Sequence, residues 1–285
     1  MGSEMCIRDR AGRLLSAQLQ RPEGVRALLS AVLGASDKDL LEADDPSADD
    51  AEGDAHVRKM EGVATVLATP PRGTPRPAYY AQLVPSLLGV LDPAPAPPTT
   101  PVHGLHRRAA AFTLMRMHER EADAVHAALD PLLYAPLVGG VAGGATGQAG
   151  GAAGQAGGAA PAAGRVDRAV RLLAAAAALA PPSPPYLRFL VTPVVGRLLT
   201  LDTFLQRPGR RGAPLAEPDA QALDMLRAEV HDLLHIWLRL ACTSEDLDKA
   251  VQQATEQTYA WTVGAGGTVH LVPAKEAPRA LDTMQ

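Results

Sequence analysis

Large aromatic side chains are scarce in this sequence. Its 285 residues include two Trp, five Tyr and three Phe, so few bulky anchors are available for a core between two sheets. Alanine supplies much of the apolar content, and Leu together with Ala fills the narrow gaps between packed helices. The composition therefore favours an all-α fold over an all-β one.

Cysteine and excess positive charge are also lacking. Cys6 and Cys242 form no recognisable disulfide or metal-binding spacing, which is typical of a protein from a reducing compartment. The net charge of −4 argues against a nucleic-acid partner, because such a partner needs a basic stripe on the protein. The longest apolar run, residues 172–182, is too short to cross a bilayer. We therefore expect no nucleic-acid partner, no transmembrane segment in this stretch and a cytoplasmic location.

The first ten residues, MGSEMCIRDR, differ from the rest of the chain. They resemble a translated sequencing-adapter tail, although a genuine polar terminus is the alternative. We exclude them from the fold prediction. Under the adapter hypothesis, the chain is a C-terminal fragment of a longer protein.

Stretches rich in Pro, Gly or acidic residues divide the remaining sequence. The Gly-rich one contains the same heptapeptide at 147–153 and at 154–160, a composition that cannot bury enough surface to fold. The predicted segments are a helical tail of an upstream repeat at 11–36, an acidic disordered linker at 37–54, helical repeats at 55–206 with a flexible insert at 139–164, a linker at 207–216, a helical pair at 217–260, a β-hairpin at 259–272 and a tail at 273–285.

The rest of the chain is organised around residues 57–92. Apolar side chains recur there at helical spacing, first at Val57, Met60, Val63, Ala64 and Leu67 and then at Tyr80, Leu83, Val84, Leu87, Leu88 and Leu91. The Pro-rich break at 70–77 separates the two helices. Two short amphipathic helices joined by a tight turn are the repeating unit of an α-solenoid. We predict an all-α, HEAT/armadillo-like solenoid fragment with a small C-terminal β-hairpin.

The later helices follow the same pattern of apolar spacing. We predict them at 103–119, 121–137 with a bend at Pro131, 165–180, 186–205, 217–242 and 244–259. After them, two alternating segments flank Gly264 and Gly267, which is typical of a hairpin turn.

Two blocks of sequence carry a family resemblance. The first comprises the segment Ala-Thr-Pro-Pro at 68–71, Tyr79 with Tyr80, and the segment Leu-Val-Pro-Ser-Leu-Leu at 83–88. The second, at 172–204, contains a leucine-rich helix, a Ser-Pro-Pro turn and a further apolar helix. Together they resemble the conserved C-terminal region of the transport and Golgi organization protein 6 family. Ser86 stands where that family has Gln, and Val84 where it has Ile.

This resemblance implies a function without catalysis. Fungal members of the family are described as required for nuclear transport of RNA polymerase II. The resemblance therefore implies an adaptor in polymerase assembly or nuclear import, or one in Golgi organisation, with polymerase subunits and import factors as partners. Its location would be the cytoplasm, with shuttling to the nucleus or association with the secretory pathway. A generic trafficking scaffold, importin-like or coat-like, is the alternative.

Few residues suggest a specific site. Tyr79, Tyr80 and Leu83 are the candidate partner-binding residues, and we expect Tyr79 to lie half-exposed at the helix edge, since adjacent helical residues point about 100° apart. Packing against a neighbouring repeat is the favoured interpretation of this residue.

His231 and His235, at i and i+4, could bind zinc as in a hydrolase. Asp232 follows the first His where a metalloprotease has Glu, and Glu256 is a conceivable third ligand. We predict no metal, no cofactor and no catalytic residue.

Overall fold

The computed structural model describes ten segments of the chain. They are residues 18–19, 21, 23–34, 50–71 (with side chains from 57 onward), 73–92, 104–139, 165–206, 216–256, 258–264 and 268–274. Five predicted features lie wholly or largely outside the described residues: the adapter-like terminus, the acidic linker up to residue 49, the Gly-rich insert beyond residue 139, the linker at 207–215 and the tail beyond residue 274.

The described chain is helical apart from one short hairpin, which confirms an all-α class with a small two-stranded sheet. The helices are α1 (Gly24–Leu33), α2 (Asp50–Leu67), α3 (Arg76–Leu91), α4 (Gly104–Arg120), α5 (Ala122–Leu129), α6 (Ala135–Val138), α7 (Arg165–Leu179), α8 (Pro184–Val191), α9 (Val195–Gln206), α10 (Glu217–Leu240) and α11 (Ser244–Thr255). A π-helix, Asp130–Tyr134, joins α5 to α6. The strands are β1 (Tyr259–Val263) and β2 (Val269–Pro273).

Two compact units divide the chain. The first comprises Met1–Asp130 and Ala175–Tyr186. Within it, α2 packs on α4, and α3 packs on both α4 and α5. Helix α1 contacts α2, α3 and α4. The centre of this unit is filled by fully buried side chains from four helices, including Leu29, Leu67, Tyr79, Tyr80, Leu83, Leu87, Leu88, Leu91, Leu114 and Met117.

The second unit comprises Pro131–Ala174 and Leu187–Gln285. Helix α9 packs on both α10 and α11, and the buried Trp237 of α10 donates from Nε1 to the Thr192 hydroxyl at 3.3 Å. The strands pair antiparallel, with Trp261 opposite Leu271. Both of these side chains are buried, so one face of the hairpin packs against the unit.

Three predicted boundaries change. The single helix predicted at 186–205 is two helices, α8 and α9, bent by 70° at the break between them. Pro193 lies in the break, where it has no N–H to donate and disfavours helical geometry at the preceding Thr192. The single helix predicted at 121–137 is also divided, into α5, the π-helix and α6, and the π-helix contains Pro131, where the bend was predicted.

The third change concerns the acidic linker. Helix α2 begins at Asp50, so the last part of the stretch predicted as linker, residues 50–54, is helical.

No single helix in the described part of the chain is long and apolar enough to cross a membrane. Helices α8 and α9 have sufficient length and composition only as the bent pair.

Candidate partner-binding groove

Tyr79, Tyr80 and Leu83 lie in the core of the first unit. Tyr79 is 2 % exposed, so the expectation of a half-exposed position at the helix edge is wrong. Two adjacent helical side chains can both be buried here because α3 is enclosed on several sides, by α1, α4 and α5. None of the three residues presents an open surface, and their role in binding a partner stays a prediction.

The two tyrosines instead complete the end of α2. The Tyr79 hydroxyl donates to the Leu67 carbonyl oxygen at 3.0 Å, and the Tyr80 hydroxyl donates to the Ala68 carbonyl oxygen at 3.0 Å. Carbonyl groups in the last turn of a helix lack partners within the helix. Burial raises the pKa of Tyr79 to about 12, with a smaller contribution from Tyr80. The tyrosine pair therefore has a structural role in this turn.

An open groove of about 690 Å³ lies elsewhere in the first unit. It runs between the first half of α2, one face of α4 and the segment that joins α7 to α8. Its lining residues are Val57, Met60, Glu61, Arg108, Phe112, Met115, Arg116, Glu119, Ala178, Leu179, Ala180, Pro181, Pro182 and Ser183. Met60, Phe112 and Met115 are buried and apolar, whereas Val57 is 49 % exposed at the lip.

Charged side chains form the rim of this groove. The guanidinium of Arg116 lies 5.0 Å from the centre of the Phe112 ring. The same guanidinium pairs with Glu119 of α4 at 2.9 Å and with Glu61 of α2 at 4.0 Å. Arg108 adds a second cation, so the rim balances two arginines against two glutamates. A groove of this kind suits apolar side chains carried by a segment without large net charge.

Sequence reasoning missed the groove although it identified several of its residues. Met60 belongs to the apolar pattern predicted at 57–92, and Phe112 and Met115 recur at helical spacing on the helix predicted at 103–119. The groove forms only where α2, α4 and residues 178–183 come together. The spacing of apolar residues within one helix does not predict contacts between segments so far apart in sequence. The Met-Phe composition of the floor is a partial signal, since flexible Met side chains adapt to varied ligands.

The histidine pair is exposed on α10. His231 and His235 occupy its solvent-facing side, next to the buried Leu233 and Leu234. Glu256, the conceivable third ligand, lies just beyond the end of α11. Among the described residues, no group of three or more His, Cys, Asp or Glu side chains is placed to hold a metal ion.

Comparison of this chain with protein-family models, with curated proteins and with solved structures finds no match.

Proposed function

We propose that this chain is a non-catalytic helical-repeat scaffold whose first unit binds a segment of a partner protein. The groove between α2 and α4 supports this proposal. It has a buried floor of Met60, Phe112 and Met115, and apolar pockets with a few polar groups at the margin are the usual form of a binding site.

The order of packing supports a repeat architecture. Helices α2 and α3 form one successive pair, and α4 and α5 form the next. The first members of the two pairs pack together, as do the second members. Stacking of equivalent helices is how α-solenoids extend their core and build long binding surfaces. The finer assignment as a HEAT/armadillo-like solenoid is part of the proposal.

The charges on the rim indicate which kind of segment the groove would bind. Because Arg116 is engaged by Glu61 and Glu119, the groove has little charge to offer a strongly acidic or basic ligand. The proposed occupant is a neutral amphipathic segment that inserts apolar side chains between the helices. Its source, by the family resemblance, is a subunit of RNA polymerase II or a nuclear import factor, met in the cytoplasm during assembly or import. Golgi organisation is the other role that the resemblance implies.

Two variants of α2 test the groove. Val57→Asp puts a charge at the lip, whereas Val66→Asp puts the same charge at a position that does not line it. The two valines are equally exposed, at 49 % and 48 %, so neither change should unfold the unit.

The assay measures retention of purified polymerase II subunits and import factors on the immobilised chain. We expect the parent and Val66→Asp to retain one of these proteins and Val57→Asp to lose most of it. Equal retention by both variants would show that the groove does not contact the partner. Failure of the parent to retain any of them would overturn the proposed partners.

A further inference from the structure

Thr69 follows the end of α2 in a short non-helical segment of the first unit. Its side chain is exposed, and the next two residues, Pro70 and Pro71, have no backbone N–H. A residue that precedes a proline disfavours helical geometry, so the chain leaves the helix at Thr69. The Thr69 hydroxyl is therefore accessible and lies outside regular secondary structure, as an enzyme that modifies a hydroxyl group requires of its substrate.

The sequence around this hydroxyl, Thr69-Pro70-Pro71-Arg72, has the pattern that proline-directed protein kinases select. A kinase site without a hydrogen-bond acceptor for the residue after the hydroxyl selects proline there, because any other residue would leave a buried N–H unpaired. A basic residue three positions after the hydroxyl adds charge complementarity with such an enzyme. The other residues that precede a proline in this way have no Lys or Arg three positions later: Thr74, Thr100, Ser183 and Thr192.

Arg120, the last residue of α4, already contacts the hydroxyl oxygen. Its Nη1 atom donates to Thr69 Oγ1 at 2.9 Å, and the Thr69 hydroxyl in turn donates to the Thr65 carbonyl oxygen at 2.6 Å. A phosphate on Oγ1 would carry roughly two negative charges and three strong acceptor oxygens. Because the Arg120 guanidinium reaches Oγ1 directly, it is placed to donate to those oxygens as well.

The carboxylates on either side of Arg120 in sequence are paired with other arginines. Arg76 of α3 donates to Glu121 at 3.2 Å, and Arg116 pairs with Glu119 at 2.9 Å. The end of a helix disfavours an anion, but the two carbonyl groups at the end of α2 already accept hydrogen bonds from the tyrosine pair. The charge of Arg120 is therefore the main one that a phosphate on Thr69 would meet at contact distance.

We propose that Thr69 is phosphorylated by a proline-directed kinase and that Arg120 binds the phosphate, which links the end of α2 to the end of α4. In the transfer, Thr69 Oγ1 attacks the γ-phosphorus of ATP, and the bond from that phosphorus to the bridging oxygen breaks. ADP leaves, and the hydroxyl proton passes to the catalytic carboxylate of the kinase. The hydrogen bond from Arg120 to a neutral hydroxyl is thereby replaced by stronger hydrogen bonds between opposite charges.

Incubation of the full chain with a purified cyclin-dependent kinase and ATP, followed by mass spectrometry, tests the acceptor. We expect a phosphate on Thr69 in the parent and in Thr74→Ala, and no phosphate at position 69 in Thr69→Ala. Thr74 is the matched control because it also precedes a proline, while Pro77 rather than a basic residue stands three positions after it. A parent chain without phosphate on Thr69, or with more phosphate on Thr74 than on Thr69, would overturn the proposal.

The second pKa of the phosphate, about 6 without a partner, tests the role of Arg120. Phosphorus NMR measures this pKa in the phosphorylated chains. Arg120→Gln should raise it by about one unit relative to the parent, because an opposite charge at contact distance lowers the pKa of an acid. Arg120→Lys keeps the charge and should retain most of the lowering, whereas Arg239→Gln, at an exposed position in the last turn of α10, should match the parent. An unchanged phosphate pKa in Arg120→Gln, or an equal rise in Arg120→Lys, would overturn the proposed link.

Discussion

The Tyr79 hydroxyl donates a 3.0 Å hydrogen bond to the carbonyl oxygen of Leu67, the last residue of α2. Pro70 and Pro71, three and four residues further along the chain, have no N–H, so neither can donate to the Leu67 carbonyl oxygen. The Tyr80 hydroxyl likewise donates a hydrogen bond to the carbonyl oxygen of Ala68. The residues that carry the first block of the family resemblance are therefore the ones that build this turn.

Removing either hydroxyl should destabilise the first unit. Tyr79→Phe and Tyr80→Phe each leave a buried carbonyl group without its donor, which costs about 1–3 kcal/mol in the free energy of unfolding. Denaturant unfolding followed by circular dichroism measures the loss. Tyr259→Phe, in the partly exposed strand β1, is the control and should unfold like the parent. Parental stability in both variants would show that the two hydrogen bonds contribute nothing.

High pH should destabilise the chain through the same residue. The folded state raises the pKa of Tyr79 from 10.0 to about 12, mainly by burial. The folded state therefore holds the proton more tightly than the unfolded state does, and stability is lost as pH rises from about 10 through about 12. Tyrosinate absorbance and stability, measured together across this range, report the effect. In Tyr79→Phe the slope of stability against pH should become shallower, and an unchanged slope would assign the loss to other groups.

The spacing of apolar residues was sufficient to predict most of the helices, but not which other elements pack against each helix. On the helix predicted at 217–242, Leu223, Leu226, Val230, Leu233 and Trp237 recur at helical spacing, and all five are buried. Leu240 continues the same spacing but is exposed, at the last residue of the helix. The burial of Tyr79 could not be predicted from its own helix, since it depends on neighbours on more than one side of α3. The groove joins distant segments, and sequence spacing carries no information about it.

The buried apolar face of α10 should not tolerate a charged side chain. Leu233→Asp places a carboxylate where the native side chain is 1 % exposed, and we expect a loss of several kcal/mol or a failure to fold. Met225→Asp introduces the same charge on the same helix at a position that is 60 % exposed, and it should be nearly neutral. Thermal unfolding of the two variants under the same conditions gives the melting temperatures to be compared. Equal melting temperatures would mean that Leu233 faces solvent.

The start of α11 should lose stability in acid. Thr243 and Asp246 form a capping box there, and the Arg188 guanidinium donates from Nε and Nη2 to Asp246 Oδ2 at 2.9 and 2.8 Å. The Thr243 hydroxyl, followed by Arg188, lowers the pKa of Asp246. A lowered pKa means that the stabilisation is present above the ordinary carboxyl range, near pH 4, and is lost as pH falls below it.

Replacing Asp246 should reproduce that loss at neutral pH. Asp246→Ala removes the acceptor for both Thr243 and Arg188, and we expect it to cost about 1 kcal/mol, as for other helix caps. Asp248→Ala, an exposed position on the same helix, is the matched control and should be close to neutral. Urea unfolding at pH 7 and again below pH 4 measures both variants. The difference between parent and Asp246→Ala should shrink in acid, because the parent then loses the same charge. A difference that is constant with pH would mean that the Asp246 charge contributes nothing and that only its packing matters.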